Sequence, residues 1–102
     1  MNNSVRKIYK HTLKKFNEIF ELETPPIWNI LHLGEQNEEL FLWVDHFWIG
    51  DPEEDKPVKN KFMLIGTGVE IPKDFSGQYF GSVIMKNGLV WHLYVLGYKD
   101  KQ

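Results

Sequence analysis

QYFGSVIMKNGLVWHLYVLGY, residues 78–98, places two apolar runs on either side of Lys86-Asn87-Gly88. Asn and Gly both tolerate the positive φ of a type I′ turn, so Asn-Gly between apolar runs is the strongest short-range signal of a hairpin. The stretch predicts two antiparallel strands and a fold built on strands. Upstream, KFMLIG (61–66) reads as another strand and KDFSGQ (73–78) as a turn. In IWNILHLGEQNEELFLWVDHFWIG (27–50), Ile27, Leu31 and Leu33 can share one strand face, with Trp28, Ile30 and His32 on the other. GEQNEE is polar turn material, and LFLWVDHFW is dense in aromatic and apolar residues, as buried strands are. This pair predicts a hairpin with a longer loop. GDPEEDKPVKN (50–60), with two prolines, a glycine and little apolar content, is the clearest loop.

Residues 4–22, SVRKIYKHTLKKFNEIFEL, decide whether the fold is purely β. Val5, Ile8, Tyr9, Thr12, Leu13, Phe16, Ile19 and Phe20 follow helical spacing, and Ser4 can cap the N-terminus. The alternative is two strands, KIYKHTL and EIFELE, joined around Lys15 to Asn17. Periodicity alone favours the helix. Pro25-Pro26 ends whatever precedes, because proline lacks an amide donor and restricts its predecessor.

A chain of 102 residues has the length of one domain, and 42% hydrophobic with 15% aromatic residues is ample for a core. The absence of cysteine removes disulfides, thiolate metal sites and a cysteine nucleophile, and it fits the cytosol. No window reaches the ~18 consecutive apolar residues of a membrane span, and MNNSVRKIYKHTL lacks the apolar core of a secretory signal. The expected location is the cytoplasm. The net charge of −2 hides segregation: residues 1–20 carry Arg6, Lys7, Lys10, Lys14 and Lys15 against Glu18, whereas residues 21–55 carry ten acids and no Lys or Arg. Such segregation can steer a charged partner, but the favoured reading is that strands fold back and interleave these segments into a mixed surface. The lack of an overall basic balance argues against a nucleic-acid ligand.

Gly66-Thr67-Gly68 raises the question of phosphate binding. A dinucleotide fingerprint needs a third glycine where Ile71 stands, followed by a helix that Pro72 opposes, and a P-loop needs a lysine after the second glycine. Neither fits. A strand exit or bulge where only glycine suits the backbone is the favoured reading. An anion reading survives as the alternative, with Lys61, Thr67, Gly68 and Trp91 supplying charge, hydroxyl, amides and stacking to a nucleotide.

His11, His32, His46 and His92 show no metal-binding spacing, and in a strand the adjacent Asp45 and His46 point to opposite faces. His32 and His92 could meet only if their strands share a sheet face. Ser4, Ser76 and Ser82 lack a nucleophile elbow, and the acid pairs Glu38-Glu39 and Glu53-Glu54 lie in polar loops. No catalytic constellation, metal or cofactor is expected. Alternation sets Trp28, His32 and His92 opposite the core positions. An aromatic face there would be covered by another sheet, by the N-terminal segment or by a second subunit, a homodimer first.

Read in order, ILHLGEQNEELFLWV, LIGTGVEIP and YFGSVIMKNGLVWHLYV resemble an uncharacterised family of small proteins found mainly in tailed bacteriophages and prophages. The resemblance runs from Lys7 to Val95. It is carried by Lys7-Ile8-Tyr9-Lys10, Gln36-Asn37, Leu42-Trp43, Gly66-Thr67-Gly68 with Ile71-Pro72, Tyr79 with Gly81, and Trp91-His92. The family has a histidine after the GTG unit where this chain has Val69, which weakens any histidine role at that loop. The resemblance implies an all-β fold and moves residues 4–22 from helix to two strands. Together these readings predict a small antiparallel barrel or sandwich of six or seven strands. The implied function is that of a non-catalytic phage accessory protein that binds, and inhibits, a host defence or regulatory protein. Trp28, His32, Trp91 and His92 join Lys61, Thr67 and Gly68 as candidate contacts. Nucleotide sequestration and a minor virion role are the competing classes.

Overall fold

The computed structural model describes residues 4–49 and 57–98. They form seven strands and no helix: β1 (Ser4–Leu13), β2 (Ile19–Thr24), β3 (Ile27–Gln36), β4 (Glu39–Ile49), β5 (Val58–Gly66), β6 (Gln78–Ile84) and β7 (Val90–Tyr98). A three-stranded sheet in the order β1-β4-β3 packs on a four-stranded sheet in the order β2-β5-β7-β6, all pairs antiparallel. The result is a small sandwich rather than a closed barrel. Leu13, Leu33, Leu40, Leu42 and Val44 from one sheet meet Phe20, Phe62, Leu64 and Leu93 from the other.

The N-terminal segment is two strands, against its helical periodicity. Val5, Ile8, Tyr9 and Thr12 are β-branched or aromatic, types that fit a pleated surface. β4 pairs with all ten residues of β1. Ile8, a member of the helical stripe, is 60% exposed, while Leu13 is buried. Asn17, at φ 60°, turns the chain into β2. Its amide donates to Leu64 O (2.6 Å), and its side-chain oxygen accepts from the Gly66 amide (3.0 Å).

Three turns differ from the sequence reading. The β3–β4 loop is only Asn37-Glu38, both at positive φ (53° and 68°), as a two-residue type I′ hairpin requires. The β6–β7 connection, residues 85–89, instead closes a three-residue loop, Lys86-Asn87-Gly88, between Met85 and Leu89. Gly88 N–H donates to Met85 O and Met85 N–H to Leu89 O, both at 2.8 Å, and only Gly88 has positive φ. That pattern is a type I turn closed by a glycine bulge. Residues 58–60 of the expected acidic loop belong to β5, where Asn60 is buried; residues 50–56 lie outside the described residues.

In β3, register shifts between Ile27 and Asn29 and between Ile30 and His32 break the simple alternation. Ile27, Ile30 and Leu33 therefore turn to the core, and Leu31 is exposed. Ile30 and Leu31 exchange the faces that strict alternation assigns them.

Where the chain passes from β2 to β3, a buried polar string ties the two sheets together. Asn60 Nδ2 donates to Thr24 Oγ1 (2.9 Å), and Thr24 Oγ1 donates to Pro25 O (2.8 Å). From the other sheet, fully buried His46 donates from Nδ1 to the same carbonyl (2.9 Å). A carbonyl only accepts, so His46 Nδ1 carries the proton and its Nε2 accepts from His11 Nε2 at 2.8 Å. Burial lowers the His11 pKa, and the neighbouring His46 lowers it further.

Candidate functional site

Each sheet has an outer face, and the two differ in what covers them. β5 and β6 both run antiparallel to β7, so they are parallel to each other, and their connection must cross the four-stranded sheet. It leaves β5 through a turn over Gly66–Val69, closed by Val69 N–H to Gly66 O at 3.1 Å, with Gly68 at φ 90°. A glycine with that φ at the third position is a type II turn. The GTG unit is therefore a strand exit, as the sequence favoured. Further along, Phe75 packs edge-on against Tyr94 of β7 at 5.4 Å. Gly77 makes room for it, since a Cβ there would sit 2.5 Å from the Phe75 ring. Met63 and Ile65 lie on this outer face, in register with Tyr94 and His92, yet they are only 5% and 2% exposed. The 67–77 crossover runs over this face, with Phe75 set on Tyr94.

Beside the crossover runs a hydrogen-bonded chain of side chains. Thr67 Oγ1 meets His92 Nε2 at 2.9 Å, His92 Nδ1 meets Ser82 Oγ at 2.7 Å, and Ser82 Oγ meets Tyr79 OH at 2.7 Å. Both ring nitrogens are bound to hydroxyls, and no carboxylate orients the ring as a nucleophilic triad would require. The arrangement anchors the GTG turn to β7 and β6.

The outer face of the three-stranded sheet carries a different set. From the central strand β4 come Phe41, Trp43, Asp45 and Phe47, alternating with the core residues Leu40, Leu42, Val44 and His46. β1 adds Arg6 and Lys10, and β3 adds Trp28 and His32. Arg6 holds Asp45 at two points, Nη2–Oδ2 2.6 Å and Nε–Oδ1 3.3 Å, and its guanidinium lies 5.2 Å from the Trp28 ring centre. The hydrogen bond from Arg6 keeps the Asp45 carboxyl below its ordinary pKa, although burial opposes this, and it raises that of Arg6. Lys10 Nζ sits 4.5 Å from the Phe41 ring centre and 6.0 Å from that of Trp43, and donates to Gln36 Oε1 at 3.0 Å. Trp28 meets Phe47 edge-on at 5.6 Å, and His32 lies 5.5 Å from Trp43. Gly34 leaves space for that histidine, because a Cβ there would be 2.7 Å from His32 Nε2. Trp28 is 59% exposed. Among the described residues, no segment crosses this face.

The seven sequence candidates divide accordingly. Trp28 and His32 share the bare face. Thr67, Gly68 and His92 share the roofed end of the other sheet. Lys61 is on that same outer face but six residues from Thr67 along one strand, about 20 Å at the usual rise. Trp91 points the opposite way, into the sandwich, packed on Phe16 at 4.6 Å and against Gly66. The expected cradle of Lys61, Thr67, Gly68 and Trp91 is not assembled. His32 and His92 do not meet either, because they lie on different sheets. Asp45 and His46 do point to opposite faces. Arg6, Lys10, Phe41, Trp43 and Phe47, which share the bare face with Trp28 and His32, were not among those seven candidates. The Phe41-x-Trp43-x-Asp45-x-Phe47 alternation was the available signal.

Among the described residues, one groove of about 260 Å³ lies between β3 and β6, lined in part by Trp28, Ile30, Tyr79 and Val95, and another of about 390 Å³ is lined by Glu35, Glu38, Met85, Lys86 and Asn87. Among the described residues, no three His, Asp or Glu side chains are placed to hold a metal ion. The model of a family described as a domain of unknown function (DUF7352) matches residues 4–102. No curated protein and no solved structure matches the chain.

Proposed function

The chain belongs to the DUF7352 family, a domain of unknown function, and we propose that it is a non-catalytic binding protein that docks a protein partner on the bare face of its three-stranded sheet. The observation that carries the reading is the contrast between the faces. One is roofed by its own crossover, while the other presents Trp28, Phe41, Trp43 and Phe47 with Arg6 and Lys10 and has no roof among the described residues. Aromatic residues and arginine are the types that dominate protein-interface energetics. In the phage accessory context that the sequence resemblance implies, the partner is a bacterial defence or regulatory protein met in the host cytoplasm, and binding inhibits it.

Capture from bacterial lysates tests this. Wild-type protein and a Tyr79→Phe control on the other sheet should retain one stoichiometric protein that a Trp28→Ala/Lys10→Glu variant loses. Retention of the same protein by all three, or repeated failure with wild type across hosts, would count against it.

A further inference from the structure

We propose that the free edge of β1 accepts an acidic extended segment of the partner as a fourth strand of the three-stranded sheet; this rests on the reading that the sheet is the docking surface. β1 is ten residues long and pairs one-to-one with β4 without a bulge. Among the described residues, no strand pairs with its other side. The remaining edges are blunted: β3 by two register shifts, β6 by one between Tyr79 and Gly81, and β2 by its length of six residues. A long, regular, unpaired edge is a template for strand addition.

The charge of β1 selects the occupant. Arg6 and Lys10 flank the edge on the outer face and Lys7 on the inner face, and no acid occurs between Val5 and Asn17. Lysines also serve to discourage edge pairing, but that device repels only unsuitable strands. A second copy of β1 is one of these. Paired antiparallel about Ile8, it would set Arg6 opposite Lys10 twice, with no acid on either copy of β1, and like charges directly opposite destabilise a sheet. An acidic strand instead gains at Lys7 and Lys10, which have no carboxylate partner among the described residues, while Arg6 is already held by Asp45. Apolar positions complete the match, since Val5, Ile8 and Tyr9 are all exposed. An antiparallel partner running past residues 10 to 5 would read acid, apolar, apolar, acid, acid, apolar.

The test is an NMR titration of the full chain with the capped peptide Thr-Glu-Val-Ile-Glu-Glu-Val-Thr. The expected result is a shift of β1 amides, slowed hydrogen exchange along β1, binding that weakens with salt, and at least tenfold loss of affinity in Lys7→Glu/Lys10→Glu. A peptide with lysine for glutamate should not bind. The same acidic peptide with alternate backbone amides N-methylated keeps its charge but cannot extend the ladder, so equal binding of that peptide overturns the inference. So does a response of Trp28, Phe41 and Trp43 without slowed exchange in β1, although that outcome leaves the docking face intact. Tighter binding of a single-stranded oligonucleotide on the same sheet, or no response to the acidic peptide, overturns it as well. The docking reading fails separately, if sheet variants capture the same lysate protein as wild type.

Discussion

The two outer faces of this sandwich begin from similar strand patterns and end in opposite states. On the four-stranded sheet, Met63, Ile65 and Tyr94 alternate with core residues; Met63 and Ile65 are buried, and Tyr94 is half-buried against Phe75 of the 67–77 crossover. On the three-stranded sheet, Phe41, Trp43 and Phe47 alternate with core residues just as regularly and are left beside cations. The difference lies in topology. A parallel return between β5 and β6 forces chain across one face, whereas the β3–β4 connection, two residues long, provides none for the other. Alternation alone therefore does not tell a covered face from an uncovered one.

The largest expected difference between the two faces is in stability. Met63→Ala or Ile65→Ala should destabilise by about 2–5 kcal/mol, as core truncations do. Trp28→Ala should cost only about 1 kcal/mol, because it loses an exposed cation–π contact and one edge-on ring pair. Urea unfolding midpoints check both, and equal losses would mean the faces are not different in kind. Next, Gly77→Ala should cost about 1–3 kcal/mol by pushing Phe75 off Tyr94. Gly34→Ala on the bare face should instead move the His32 and Trp43 resonances with a smaller loss. A third effect arises between the sheets. The folded-state pKa of His11 is below its unfolded value, so the unfolded chain binds more protons. Stability should therefore be fully present above about pH 6.5 and fall as pH drops toward the folded pKa. His11→Gln, which keeps an amide donor for His46, should flatten that slope in unfolding measured from pH 7.5 downward. The smallest expected change is a gain. Glu38→Gly relieves a left-handed non-glycine residue in the β3–β4 turn and should stabilise by about 0.5 kcal/mol after the added unfolded-state entropy is subtracted.

Much of the strand order was legible, and the failures have physical causes. Apolar runs and turn residues located β3 to β7. Residues 4–22 satisfied helical and strand spacing together, and only the family resemblance favoured strands there. Local periodicity does not contain the ten-residue pairing with β4 that stabilises β1. Asn87-Gly88 predicted the right hairpin with the wrong turn, because a third loop residue lets Gly88 alone adopt positive φ. The tighter type I′ turn fell on Asn37-Glu38, a pair without glycine and so without the usual signal. Trp28 and His32 were correctly set opposite the core, whereas Trp91 was expected at a binding site and instead fills the sandwich beside Gly66. The Arg6–Asp45 pair, 39 residues apart, has no sequence signature.

The most direct test is the footprint of a captured partner, read by amide hydrogen exchange on the intact chain with and without it. Slowed exchange and shifts confined to β1, β4 and the Trp28–His32 side of β3 are predicted. Protection centred on the 67–77 crossover, Ser82 and His92, with β1 unchanged, would contradict the assignment of the docking face.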